Sequence, residues 1–306
     1  MLRSTLSGAL TLGVLGLGAC VSDSGTTPKQ DADAGVATTD ASSPPSDATT
    51  TLLDSGTDAT PGGPCQLSQP FEQVTPIGGA TNATWFTPAP NEQLAFFANG
   101  ANDDLYAAQL ANLAVSAPRA LLPKAISAAA GVDAKGQLLL AFEPSGDFEV
   151  GLDWDPGPNN GPLVSRLVLK DFTDPAMTAD ATRLVVRFQG AGINVGDRHL
   201  YQFKLVADYD TKKISAEKED AVLEEHASHP ALTPDGLAVV YVYDDIPQLR
   251  YATRGKVTDP FVNPQPLAFV GDLLKGARPH GISRDLCRLY FTNPGGGAFV
   301  ATRKSN

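Results

Sequence analysis

The chain has 306 residues, with 29 Gly, 24 Pro, a 42% hydrophobic share and a formal net charge of -11. That is enough apolar chain for a full core, and the turn-residue content favours many short strands over the long helices of a doubly wound α/β enzyme. The acidic balance and the lack of a Lys/Arg stripe exclude nucleic acid as the expected partner.

Residues 1–19 begin with Arg3, run apolar from Leu6 to Leu17 and end in small residues before a cysteine. This is the pattern of an export signal, too short to stay as a spanning helix. Leu17-Gly18-Ala19-Cys20 resembles the bacterial lipobox. The resemblance implies cleavage before Cys20, which then carries the lipid and places the body on a membrane surface. Val21 rather than Asp after the cysteine points, by the sorting rule of such lipoproteins, to the outer membrane, on its periplasmic face or at the cell surface.

From Cys20 to Pro64 the composition turns to Ser, Thr, Ala, Asp, Gly and Pro, with no aromatic residue and seven Asp against one Lys. So few apolar side chains cannot offset the entropy of ordering, and a disordered tether is expected. Its random-coil span is roughly 35 to 40 Å.

The body, 65–306, repeats itself. The clearest unit is His229-Pro230-Ala231-Leu232-Thr233-Pro234-Asp235-Gly236, a polar turn that runs into Leu237-Ala238-Val239-Val240-Tyr241-Val242. With Gly236 as reference, equivalent positions fall at Asn91, Gly136, Ala181 and Leu286. Three residues further lie Leu94, Leu139, Leu184, Val239 and Leu289. Thr178 with Asp180, Thr233 with Asp235, and Ser283 with Asp285 recur at one spacing. A hydroxyl and a carboxylate two residues apart can bond the turn backbone locally, and recurrence assigns them to turn formation rather than catalysis. Pro90 and Lys135 stand where the first two copies should have this Asp.

A further strand follows each turn unit, as in Leu105-Tyr106-Ala107-Ala108 and Leu249-Arg250-Tyr251-Ala252. Units of this length and content read as blades of an all-β propeller. Leu232-Thr233-Pro234-Asp235-Gly236, with the Ala252-Thr253-Arg254 and Ala301-Thr302-Arg303 endings, resembles the TolB-like, WD-type propeller repeat of bacterial envelope lipoproteins. The five copies imply five blades. TolB-like propellers more often have six, which leaves a degenerate sixth unit open. Pro70–Ile77 looks like Pro260–Leu267, so the N-terminal segment should supply the outer strand of the last blade.

With Cys20 lipidated, Cys65 and Cys287 remain, one at each end of the body. In an oxidising compartment they are expected to pair, the alternative being two buried free thiols.

Other candidate sites are weaker. Asp153, Asp155 and Asn159 space oxygen donors at intervals of two and four in a Gly-rich loop, as calcium loops do, but the distal bidentate Glu is missing and a plain acidic loop is preferred. His226 and His229 lack a metalloprotease motif, and His229 is assigned to packing. Glu224 and Glu225 beside His226 read as solvated surface. Gly190–Gly196 has a phosphate-loop spacing with no helix to follow it, so a hairpin loop is expected. Neither a catalytic set nor a cofactor emerges. A monomeric binding scaffold for an envelope protein or glycan is expected, without enzymatic activity. The alternative is a propeller-type carbohydrate hydrolase or lyase, for which carboxylates from different blades should meet at one mouth of the channel. Specific function should lie where the copies differ, in the loops at 143–165, 189–198 and 244–248.

Overall fold

The computed structural model describes residues 65–100, 104–132, 136, 138–144, 149–154, 167–189, 199–208, 213–223 and 226–304. Cys20, Asp155, Asn159, the Glu224-Glu225 pair and the Gly190–Gly196 segment lie outside these residues. Among the described residues all regular structure is β, and no helix is long and apolar enough to cross a membrane.

A short strand, β1 (Gln73–Pro76), precedes four antiparallel sheets laid out in chain order. The first holds β2 (Ala83–Pro88), β3 (Leu94–Asn99), β4 (Asp104–Ala111) and β5 (Ala114–Leu122). The second holds β6 (Ala125–Val132), β7 (Leu138–Pro144), β8 (Glu149–Trp154) and β9 (Leu167–Lys170). The third is β10 (Phe172–Met177), β11 (Arg183–Phe188), β12 (Leu200–Asp208) and β13 (Lys213–Leu223). The fourth is β14 (Ala227–Leu232), β15 (Ala238–Tyr243), β16 (Gln248–Thr253) and β17 (Val262–Pro266). A fifth four-stranded sheet takes β18 (Arg278–Ile282), β19 (Arg288–Thr292) and β20 (Ala298–Thr302), and completes itself with β1 from the other end of the body. Gln73 faces Thr302 and Pro76 faces Phe299 in that closing pair.

Alternating burial explains how the sheets pack. In β15, Val239 and Tyr241 enter the apolar seam with the third sheet, while Val240 enters the seam with the fifth. Each sheet is sandwiched this way, because successive strand residues point to opposite faces. Five apolar clusters fill the seams in cyclic order, including one between the fifth sheet and the first, where Tyr290 and Val300 meet Phe86 and Phe97. The sheets therefore have a β-propeller arrangement, with β2, β6, β10, β14 and β18 innermost.

The turn between the first and second strand of a sheet follows one hydrogen-bond scheme. Thr233 Oγ1 donates to Asp235 Oδ1 at 2.6 Å, that oxygen accepts the Leu237 N–H at 3.0 Å, and Thr233 Oγ1 accepts the Ala238 N–H at 3.0 Å. Thr178 and Asp180 repeat the pattern, as do Ser283 and Asp285. The reference residues Gly136, Ala181, Gly236 and Leu286 all have positive φ.

The first copy corrects the sequence alignment by one residue. There the positive φ belongs to Glu92, not Asn91, and the Gln93 N–H donates to Asn91 Oδ1 at 3.0 Å. Asn91 thus occupies the Asp position that Pro90 had been assigned. The slip moves the buried place from Leu94, which is 38% exposed, to Ala95, which is fully buried. A shift of one residue reverses every side chain in a strand, so the choice of register decides which face packs.

Candidate functional site

The innermost strands all carry a bulge near their start. In β10 and β14 the bulged residues Asp174 and His229 have φ of 51° and 49°. A bulge removes a residue from the ladder and re-aims its N–H. Here the Asp174 N–H donates to Glu143 Oε2 at 3.1 Å, and the His229 N–H donates to Asp174 Oδ2 at 3.3 Å. The distortion thus builds a polar cluster on the axis, at the end opposite the Thr/Asp turns.

Residues from five sheets contribute. Glu143, near the end of β7, also accepts from Ser127 Oγ at 2.9 Å. Arg187 of β11 lies between two carboxylates: Nη2 is 2.9 Å from Asp244 Oδ2, and Nη1 is 3.5 Å from Asp174 Oδ2. The other Asp244 oxygen accepts from Ser228 Oγ at 2.5 Å. Below this layer, Trp85 packs on His280 with ring centroids 3.9 Å apart and planes tilted by 44°, and His229 packs against both rings. Trp85 Nε1 donates to Ala128 O at 2.8 Å. Thr292 Oγ1 donates to Thr84 O at 3.2 Å, and so accepts from His280 Nε2 at 2.8 Å. That assignment leaves His280 Nδ1 as an acceptor, with no hydrogen-bond partner among the described residues.

Burial sets the charge states. It is the main reason the Glu143 carboxyl is pushed up to about 7, and the Asp174 carboxylate adds to the effect. Burial holds His229 below its ordinary value, with Asp174 opposing and Arg278 and Arg187 reinforcing the shift. His280, also buried and facing His229 and Arg278, is held well below. Both rings are therefore neutral at neutral pH. At the rim, Asp245 is held low chiefly by its hydrogen bond with His226, which lies 2.7 Å away, and by the Tyr243 hydroxyl.

On the far side of the histidines the axis ends in a narrow cavity of about 50 Å³ of mixed polarity, lined by Thr87, Ala130, Met177, Leu232 and Ile282 from the five inner strands and by Glu92 and His280. Cys65 and Cys287 form a disulfide at this end, with Cα atoms 5.2 Å apart.

The polar cluster collects residues that the sequence indicated only indirectly. Glu143 and Asp244 stand at the roots of two loops in which the copies differ, and Arg187 ends just before the third. Of the predicted candidates only His229 belongs to the cluster, as a packed neutral ring. His226 pairs with Asp245 instead. Asp153 lies within β8, its backbone paired with Leu140; with Asp155 and Asn159 outside the described residues, no calcium loop is defined. Among the described residues no three His, Cys, Asp or Glu side chains gather as a metal site. Trp85 and His280 were missed because they meet only when the ring closes, and Asp174 and Arg187, on neighbouring strands, because a bulge turns the former towards the axis. The substitution of Asp174 or His229 for an ordinary strand residue just before a Pro was the available signal.

The fold is thus an all-β propeller arrangement with a charged axial end. No family model matches the chain, and no curated protein matches it. Several solved structures are similar in outline. Hydrazine synthase of Kuenenia stuttgartiensis shares 12% identity at a TM-score of 0.42, over 72% of this chain and 71% of that one. A calcium-binding regucalcin of Agrobacterium tumefaciens shares 17% at 0.42, over 78% and 95%. TolB of Acinetobacter baumannii shares 10% at 0.41, over 76% of this chain and 55% of its own.

Proposed function

We propose that this chain is a lipid-anchored protein of the bacterial envelope, held in the outer membrane through Cys20, whose propeller is a five-bladed ring acting as a binding scaffold for an envelope protein or glycan. The blade number rests on the five sheets and the five seams between them. The anchor rests on the lipobox-like residues before Cys20. The observation that carries the binding reading is the axial cluster. Its Asp174, Arg187 and Asp244 are fixed by one another, which gives a rigid polar surface suited to recognition. Beside it the loop after β15 presents Ile246, 66% exposed, between Asp245 and Pro247. A photo-crosslinking residue at position 246 should capture a partner in living cells, while one at Leu94, at the opposite end of the axis, should not. Equal capture at both positions, or none at either, overturns the reading. Cys20→Ala should release the protein from the membrane fraction.

One observation favours a hydrolase or lyase as the second reading. Glu143 is raised to about 7 beside a second carboxyl side chain, Asp174, and a carboxyl group that keeps its proton near neutrality can serve as the acid in cleavage of a glycosidic bond. In that case Glu143→Gln should abolish turnover of an envelope glycan while leaving its binding intact.

A further inference from the structure

The third sheet carries a second arrangement, separate from the axis. At its polar end Phe172 of β10, Phe188 of β11 and Tyr201 of β12 are mutually tilted. Phe172 and Phe188 are 5.3 Å apart at 50°, Phe188 and Tyr201 5.5 Å at 73°, and Phe172 and Tyr201 6.0 Å at 74°. Phe172 is buried and the other two rings are half-buried, so the group opens to solvent in the seam beside the second sheet. The Lys218 ammonium, on β13, lies over all three: 4.3 Å from the Tyr201 centroid, 5.7 Å from Phe172 and 5.8 Å from Phe188.

Lys218 is itself exposed, and among the described residues no carboxylate pairs with it. An exposed ammonium free to turn into water instead sits on the ring faces, where the quadrupoles attract it. The fit is incomplete, however. Its contact is with Tyr201, while the two phenyl faces stand more than an ångström further off. A cation enlarged by methyl groups would touch all three rings, and it would give up less hydration than a primary ammonium on entering.

We propose that Phe172, Phe188 and Tyr201 form an aromatic cage for an N-methylated ammonium group, with Lys218 as the internal cation that this ligand displaces. The same headgroup chemistry occurs in a free choline-type molecule and in a phosphatidylcholine surface. The binding is non-covalent and leaves the axial cluster untouched.

The test uses the full chain with and without Lys218→Ala, titrated with choline, with its uncharged isostere 3,3-dimethylbutan-1-ol, and with phosphatidylcholine or phosphatidylethanolamine vesicles. Removing the internal competitor should tighten choline binding about tenfold. The uncharged isostere should not bind. Tyr201→Leu, which keeps an apolar side chain in the seam, should fold and lose choline binding. Saturable binding of choline identifies a free ligand, and selective sedimentation with phosphatidylcholine over phosphatidylethanolamine identifies a headgroup; either supports the cage. The proposal is overturned if folded Lys218→Ala protein binds neither probe saturably, or if the uncharged isostere binds as well as choline.

Discussion

Two buried arginines show how much a single side chain can organise here. Arg303 donates from Nε to Gln69 O at 2.8 Å, from Nη2 to Leu67 O at 3.1 Å and from Nη1 to Leu286 O, with its guanidinium 3.8 Å from the Phe71 ring. Arg254 does the same one sheet earlier, from Nε to Gly236 O at 2.7 Å and over Phe261 at 4.2 Å. Burial pulls each down to about 10, which still leaves both charged at neutral pH. A lysine cannot reproduce the planar fork. Arg303→Lys should therefore cost about 2 kcal/mol and Arg303→Ala about 3 to 4, read from urea midpoints, because carbonyls are left buried and unpaired. Glu143 gives a prediction of the opposite kind. Its proton is held more tightly in the folded state, so its stabilisation is complete at low pH and is lost as pH rises through about 7. The neutral histidines act with the reverse sign, as pH falls towards and below their ordinary value of 6.5. Between pH 6.5 and 8 the wild type should lose roughly 1 kcal/mol relative to Glu143→Gln, since both proteins share the histidine contribution.

At the scale of strands and turns, the first copy is the informative one. Asn91 does the work of Asp180, Asp235 and Asp285, accepting the N–H two residues on. Asn91→Ala should cost about 1 kcal/mol and Asn91→Asp should stay within about 0.5 kcal/mol of wild type, by thermal or urea unfolding. The period and the strand order were legible because four of the five turns share a reference position, at Gly136, Ala181, Gly236 and Leu286, with an apolar residue three further on. The register of the first was not, since Leu94 and Ala95 are both apolar and either satisfies the pattern. The bulges were nearly as hidden, being a matter of backbone conformation at Asp174 and His229 and marked in the sequence only by the Pro that follows each. Close approach between inner strands is another constraint that one sequence hides. A Cβ on Gly131 would stand 2.6 Å from Thr178 O and 2.9 Å from Ala181. Gly131→Ala should accordingly destabilise by about 1 to 3 kcal/mol, with the second and third sheets forced apart.

For the whole molecule, the decisive event is the meeting of the two ends. β1 pairs with β20, and Cys65 is bonded to Cys287 across 222 residues of chain. In the chain-entropy treatment a bridge of that span contributes up to about 5 kcal/mol, so Cys65→Ser with Cys287→Ser should lower the urea midpoint strongly while leaving the far-ultraviolet spectrum of the native state unchanged. A loss below about 1 kcal/mol would show that the denatured chain already keeps its ends together. The resemblance between Pro70–Ile77 and Pro260–Leu267 indicated the closure, and cysteine arithmetic the bridge. The axial cluster was less accessible, because a charged layer drawn from several sheets has no local signature. The bridge also determines how the molecule bears a mechanical load. Tension applied between the chain upstream of Cys65 and the C-terminus passes through sulfur directly into the β18–β19 turn at Cys287, so residues 66–286 form a loop outside the covalent force path. In the oxidised protein that pull should fall first on β19 and β20, whereas in the reduced protein it should fall on the pairing of β1 with β20.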